Sequence, residues 1–274
     1  MRLIETGIAG TTVGLVRADN PSVMTLDGTN TWIFATDGGS WVIDPGPDDA
    51  AHLATVAVAA RELGEPKGVL LTHDHLDHSA GLESMAALID GVPIRRHGSD
   101  FSDVPLEAAF TPGHASDHLV FYFGDDNRRA LFSGDLILGQ SSTIVPPGGG
   151  TLIAYLASLA KVTEIAPDLI LPGHGEPIDD ALAAVERQRE HRLKRERDLV
   201  AALDDGLYDR EALLDSVWSD VVPELRIAAH VTMQTNLEKL DLEGRLPDDF
   251  ETEGRKSWQH RTPSAGELGE GHEQ

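Results

Sequence analysis

The stretch Thr72-His73-Asp74-His75-Leu76-Asp77-His78 decides how this chain is read. Four potential metal ligands, His73, His75, Asp77 and His78, fall within six positions, directly after the apolar run 68–71. A short apolar run bounded by polar residues reads as a buried strand, and side chains on a loop held by a rigid strand are where chemistry concentrates. Imidazoles at 73 and 75 can converge on one ion, while Asp77 and His78 reach a second beside it. Neutral imidazole and carboxylate both suit Zn2+.

Working outward, three single residues join the set, each at the end of an apolar segment. They are His114 in Thr111-Pro112-Gly113-His114, Asp135 in Phe132-Ser133-Gly134-Asp135, and His174 in Leu171-Pro172-Gly173-His174-Gly175. The glycines permit tight turns that aim side chains into a common mouth. Five histidines and two aspartates suit two metals, with Asp135 as the bridge. Two adjacent divalent cations acidify a water between them and deliver hydroxide at neutral pH, so Asp77 and Asp135 belong to the catalytic set as well as to the ligands. His118 reads either as a proton source for the leaving group or as a strand-capping histidine with a local hydrogen bond. Asp27-Gly28-Thr29-Asn30-Thr31 reads as a turn rather than a loop over the metals. Gln140, Ser141, Ser142 and Thr143 follow Asp135 closely enough to touch substrate. His52, His97, His191, His230, His260 and His272 lack companions and read as solvated.

Further strands are expected at 12–16, 31–35, 41–43, 118–123, 130–133 and 169–171, and helices at 48–63, 81–89 and from 152 onward. Beyond Asp179 the pattern turns wholly helical, with segments 179–204, 209–222 and a third after Pro223. This gives a catalytic domain over 1–186, a small helical domain over 187–250, and a polar, acidic tail over 251–274 that reads as mobile.

The 274 residues contain no cysteine, which excludes disulfides, iron–sulfur clusters and thiol nucleophiles. No apolar stretch approaches the ~18 residues of a membrane span, and the first residues lack the apolar run of a signal peptide. A cytoplasmic protein with no membrane partner is expected. With 46 acidic and 22 basic residues the net charge is -24, a field that repels polyanions unless cations cluster locally. One cluster exists: Arg187, Arg189, Arg192, Lys194, Arg195 and Arg197. It could contact phosphates, or be a solvated helix face with i,i+4 pairs such as Glu190 with Lys194.

The motif His73-x-His75-x-Asp77-His78, followed by His114, Asp135 and His174 in that order, resembles the metallo-β-lactamase superfamily over residues ~1–180. The resemblance implies an αββα sandwich, an α/β fold of two mixed sheets flanked by helices with the metals at one edge. It implies His73, His75 and His114 on a first zinc, Asp77, His78 and His174 on a second, and Asp135 between them. It also matches Asp44, in Val42-Ile43-Asp44-Pro45-Gly46, to a strand-end aspartate that orients a ligand histidine; a plain turn former before Pro45 is the other reading.

The segments 111–118, 132–139 and 171–175, followed by a basic helix, resemble more narrowly the β-lactamase-like protein 2 group. That group appends a winged-helix-like C-terminal domain and includes single-strand endoribonucleases. The chain departs from it in its acidity, its Pro146–Gly150 insertion and its polar tail. The resemblance thus implies a dizinc hydrolase acting on a phosphodiester of single-stranded RNA, or, with the same ligands, on a small-molecule thioester of the hydroxyacylglutathione type. An exported β-lactamase is disfavoured by the missing signal. An inserted nuclease domain of the β-CASP type is disfavoured by the ligand spacing, and diiron flavoprotein chemistry by the histidine at 75. A metal-stabilised RNA-binding module without catalysis would not need the full ligand set.

Overall fold

The computed structural model describes residues 1–148, 151–247 and 250. The chain divides into two compact units between Glu190 and His191, where the sequence reading divides it at 186. The expected tail at 251–274 lies outside the described residues, as do Gly149 and Gly150 of the insertion.

The first unit is built on two sheets. Strands β1 (Arg2–Ile4), β2 (Thr12–Arg17), β3 (Asn30–Thr36), β4 (Gly39–Ile43), β5 (Pro66–Leu70) and β6 (Ile94–Arg95) lie side by side in chain order. The first four are antiparallel; β4, β5 and β6 are parallel. Parallel neighbours need a crossover, supplied by helix α1 (Ala50–Leu63) and then by α2 (Leu76–Ser79) with α3 (Leu82–Leu88). Asp49 caps α1 by accepting the His52 amide at 2.7 Å. The second sheet has the order β10 (Leu169–Pro172), β9 (Arg129–Gly134), β8 (Leu119–Gly124), β7 (Glu107–Phe110). Helix α4 (Thr151–Ile165) carries the chain from β9 to the parallel β10.

Alternation along the strands sorts the side chains into layers. Val13, Leu15, Trp32, Phe34, Trp41 and Ile43 of one sheet meet Leu119, Phe121, Phe123, Phe132 and Leu171 of the other. Phe34 and Phe123 close the gap with ring centroids 4.7 Å apart. Residues of opposite parity, Ile33, Val42 and Val69, face Leu53, Val56 and Met85 of α1 and α3. On the far side Val120, Leu131 and Ile170 face Leu152, Tyr155 and Leu159 of α4. Both faces of each sheet are covered, which is why the central strands read as continuous apolar runs. The layers are the α/β/β/α order expected.

The second unit begins within helix α5 (Ala181–Asp204) and continues through α6 (Arg210–Val217), a 3-10 turn (Pro223–Leu225) and α7 (Arg226–Leu242). Leu199, Leu203, Leu213, Val217, Met233, Leu237 and Leu240 form its core. Among the described residues it contains no strand, so its helical character is present and a wing is not part of what is seen.

The basic run matches the solvated-face reading only in part. Arg192 and Arg195 are buried, at 1% and 7% exposure. The Arg195 guanidinium makes two 2.7 Å bonds to the Asp220 carboxylate, another to the Val217 carbonyl, and lies 5.7 Å from the Trp218 ring centre. Lys194 pairs with Asp198, and Arg189 pairs with Glu186 and Glu190. Two of the six cations, Arg192 and Arg195, are therefore part of the packed structure, while Arg187, Arg189, Lys194 and Arg197 stay exposed.

Candidate metal centre

Loops at the ends of β5, β7, β9 and β10 bring the predicted ligands together. His73, His75 and His114 each present one nitrogen within 4.8 Å of the others; so do atoms of Asp77, His78 and His174, and of His73, His78 and Asp135. His75 Nδ1 lies 3.0 Å from His73 Nε2 and 2.9 Å from His114 Nε2. In the second group His78 Nε2 and His174 Nε2 are 3.3 Å apart, and Asp77 Oδ2 lies 3.2 Å from His174 Nε2. Asp135 reaches both groups, with Oδ2 3.6 Å from His114 Nε2 and 3.3 Å from His174 Nε2, and Oδ1 3.4 Å from His78 Nε2.

The partners behind each ring assign its proton. His78 Nδ1 donates to Asp44 Oδ2 at 2.9 Å. Thr72 Oγ1 donates to the same carboxylate at 2.7 Å, which leaves its lone pairs to accept from His73 Nδ1 at 3.0 Å. His114 Nδ1 donates to the Ile144 carbonyl at 2.7 Å, and His174 Nδ1 to the Gly28 carbonyl at 3.3 Å. With their protons held on Nδ1, four buried imidazoles turn bare Nε2 lone pairs toward shared points.

Lone pairs do not hydrogen-bond one another, so such points call for a cation. The carboxylates say the same. Asp135 Oδ1 is buried with no hydrogen-bond partner. Burial pushes the Asp135 carboxyl up, but His174 and His78 outweigh it and hold it well below the usual carboxylate range. Burial pushes His174 down, yet Asp135 and Asp77 outweigh that and raise it to about 9. His78 is likewise raised, with burial overcome by Asp135 and Asp44. Burial carries His114 the other way, to about 4. A divalent ion in each group would supply the positive charge that protons must otherwise bring. The donor set therefore fits two such ions.

Two glycines make the approach feasible. A Cβ on Gly173 would lie 2.4 Å from Asp135 Oδ1 and 2.7 Å from His78 Cε1. Gly134 has φ +47°, and a Cβ there would meet Thr72 Oγ1 at 2.6 Å and His118 Nε2 at 2.8 Å.

Other candidate residues divide between the readings offered for them. His118 is fully buried, accepts the Asp135 backbone N–H on Nε2 at 3.2 Å and donates from Nδ1 to Thr111 Oγ1 at 2.9 Å. Burial, then the charge of His114, pushes it down to about 3. It is neutral with both nitrogens engaged, which suits a prop under the Asp135 turn and not a proton donor. The 27–31 segment is more than a turn. Its Gly28 carbonyl holds His174, and Thr29 Oγ1 donates to Asp77 Oδ2 at 3.2 Å. Thr143 is buried with its hydroxyl 3.0 Å from His114 Nδ1, whereas Gln140 and Ser141 are exposed. His52 is buried, its Nε2 3.1 Å from the Pro45 carbonyl and 3.0 Å from Thr31 Oγ1. His230 is 3.2 Å from Glu211 and His191 is half-buried. Among the four that are described, His97 alone stands exposed, against Phe110; His260 and His272 lie outside the described residues.

This fold with this ligand array is that of a metal-dependent hydrolase, and comparison with known proteins agrees. The Metallo-beta-lactamase superfamily family model matches residues 24–101 and 85–174, and the chain belongs to that superfamily, whose members are hydrolases that typically bind divalent metal ions. A Caenorhabditis elegans protein named beta-lactamase-like protein 2 homolog is 30% identical over 85% of this chain and 85% of its own length. An Aspergillus fumigatus atrochrysone carboxyl ACP thioesterase is 30% identical over 78% of this chain and 72% of its own. The crystal structure of a beta-lactamase domain protein from Burkholderia ambifaria superposes with a TM-score of 0.71 at 22% identity, covering 90% of this chain and 91% of that one. It shows the shared fold. Among the described residues no helix is long and apolar enough to cross a membrane.

Proposed function

We propose that this chain is a dizinc hydrolase that cleaves a small-molecule ester or thioester. The observation that carries the metal part is the set of bare Nε2 atoms on His73, His78, His114 and His174, held by Asp44, Thr72 and two backbone carbonyls around the unpartnered Asp135 Oδ1. When bound, two divalent ions supply Lewis-acid polarisation of a carbonyl or phosphoryl oxygen and acidify a water. His73, His75 and His114 would hold one, Asp77, His78 and His174 the other, and Asp135 would reach both. Asp44 carries its negative charge behind the His78 ring, which makes that ligand more basic. The Ile144 and Gly28 carbonyls keep the protons of His114 and His174 turned away from the reacting side.

Charge favours the small substrate. A polyanion gains affinity by pairing phosphates with cations, and Arg192 and Arg195, at the centre of the dense basic run, are buried. A carbonyl ester or thioester makes no such demand, and one relative is named as a thioesterase. Phosphodiester cleavage of single-stranded RNA is the second reading, supported by the similarity to beta-lactamase-like protein 2 homologues over 85% of the chain.

The test sets S-lactoylglutathione beside 5′-labelled single-stranded RNA, each with the purified zinc-loaded protein. Chelator-sensitive thioester turnover without RNA cleavage is expected. RNA cleavage without thioester turnover would overturn the substrate assignment.

A further inference from the structure

Two of the three ligand residues in the Asp77–His78–His174 group are held by one loop, the connection between β2 and β3. Thr29 is fully buried and donates from Oγ1 to Asp77 Oδ2 at 3.2 Å. The next residue back, Gly28, accepts from His174 Nδ1 through its carbonyl. Neither contact involves the His73–His75–His114 group.

The loop is set by Asn20. Its Nδ2 donates to Thr29 Oγ1 at 3.0 Å and its Oδ1 accepts the Thr29 backbone N–H at 2.9 Å. An amide nitrogen can only donate, so the Thr29 hydroxyl, having accepted from Asn20, has its proton free for the Asp77 carboxylate. The relay Asn20→Thr29→Asp77 thus has a single direction. Asn20 also anchors the inner turn, where its carbonyl accepts from Thr25 Oγ1 at 2.5 Å and Thr25 in turn accepts the Gly28 N–H through its own carbonyl at 2.9 Å. The base of the loop is closed by Ala18 N–H to the Thr29 carbonyl at 2.8 Å. Gly28 is indispensable to this path, since at φ +119° a Cβ would sit 2.1 Å from the Ala18 carbonyl oxygen.

We infer that Asn20 and Thr29 are positioning residues that set the cation affinity of the Asp77–His78–His174 group independently of the His73–His75–His114 group. Residues that orient metal ligands by hydrogen bonds are typically worth about ten- to hundredfold in affinity. Here that factor falls on one group because the loop touches only its ligands. The inference rests on the two-metal reading above, and its experiment separates the two.

Apo protein is titrated with zinc in competition with a chromogenic chelator, for wild type, Asn20→Ala, Thr29→Val and Thr29→Ser. Cobalt is titrated in parallel to record the absorption bands of each site. Wild type is expected to show two binding steps. Asn20→Ala and Thr29→Val are expected to keep the tighter or looser step belonging to the histidine-only group and to weaken the other about ten- to hundredfold. Thr29→Ser, which keeps the hydroxyl, restores that step. The cobalt bands of the aspartate-containing group shift in the first two variants and return in the third. If both steps weaken together, or neither moves while wild type binds two ions, the inference is overturned. A wild type that binds a single ion overturns the two-metal reading instead.

Discussion

Asp44 Oδ2 accepts the Nδ1 proton of His78 at 2.9 Å, and Asp44 makes this contact from a left-handed backbone conformation at φ +51°. A non-glycine residue there carries about 1 kcal/mol or more of strain. The strain is held in place by Asp44 N–H to the Leu70 carbonyl and by Thr72, which donates its N–H at 2.8 Å and its hydroxyl at 2.7 Å to the same carboxylate. One aspartate at the end of β4 thereby orients His78 directly and His73 through Thr72.

The glycine at 173 gives a prediction in which folding and metal binding separate. Gly173→Ala places a methyl group against Asp135 Oδ1, His78 Cε1 and the Gly134 backbone, where both side chains are buried and His78 is fixed by Asp44. The variant is expected to keep its helical circular dichroism and lose most of its bound metal. Full metal content in Gly173→Ala would mean that Asp135 and His78 need not stand where they do.

His118 separates a prop from an acid. His118→Gln retains an acceptor for the Asp135 N–H, whereas His118→Phe leaves that buried donor unpaired at a cost of about 1–3 kcal/mol. The glutamine variant should keep most of the activity and metal, and the phenylalanine variant should lose both. Because His118 is held down to about 3, neither change should remove a limb from the pH–rate profile near neutrality. A limb lost in His118→Gln would restore the proton-donor role.

The fate of the basic run can be read in stability. Arg195→Ala removes charge-assisted bonds to Asp220 and the Val217 carbonyl, a loss of about 2 kcal/mol. Lys194→Ala removes one exposed pair with Asp198 and should leave the urea midpoint nearly unchanged. Equal midpoints for the two variants would contradict the buried role of Arg195.

His191 supplies a pH dependence. Burial, reinforced by the charges of Arg192 and Arg195, pushes it down to about 4 from its ordinary 6.5. Between those values the unfolded chain binds more protons than the folded one, so stability falls as pH drops through that window. The ring is only half-buried, so the contribution is small. His191→Gln should lessen the drop in urea midpoint between about pH 7 and about pH 5; an unchanged drop would show that the ring titrates near its ordinary value.

Much of this was legible in the residues. The ligand cluster at 73–78 and the later His114, Asp135 and His174 are dense in sequence and stand at strand ends, so spacing alone exposes them. The central strands are apolar on both faces and equally plain. Strands β1, β6 and β7 were not anticipated: each is an edge strand, two to four residues long and with no fully buried residue, so no alternation marks it. The supporting groups escape for another reason. The Ile144 and Gly28 carbonyls are backbone atoms with no residue signature, and Asn20 lies nine positions before Thr29. Arg192 and Arg195 misled because a charged helix face looks the same in sequence whether its partners are solvent or a neighbouring helix.

The central claim is that one chain holds two divalent ions in the array around Asp135. Elemental analysis of zinc-loaded, gel-filtered wild type and Asp135→Ala, with circular dichroism as the control for folding, tests it most directly. About two ions per wild-type chain and fewer in a folded Asp135→Ala variant are predicted. One ion or none in the wild type, or two retained in the folded variant, would contradict it.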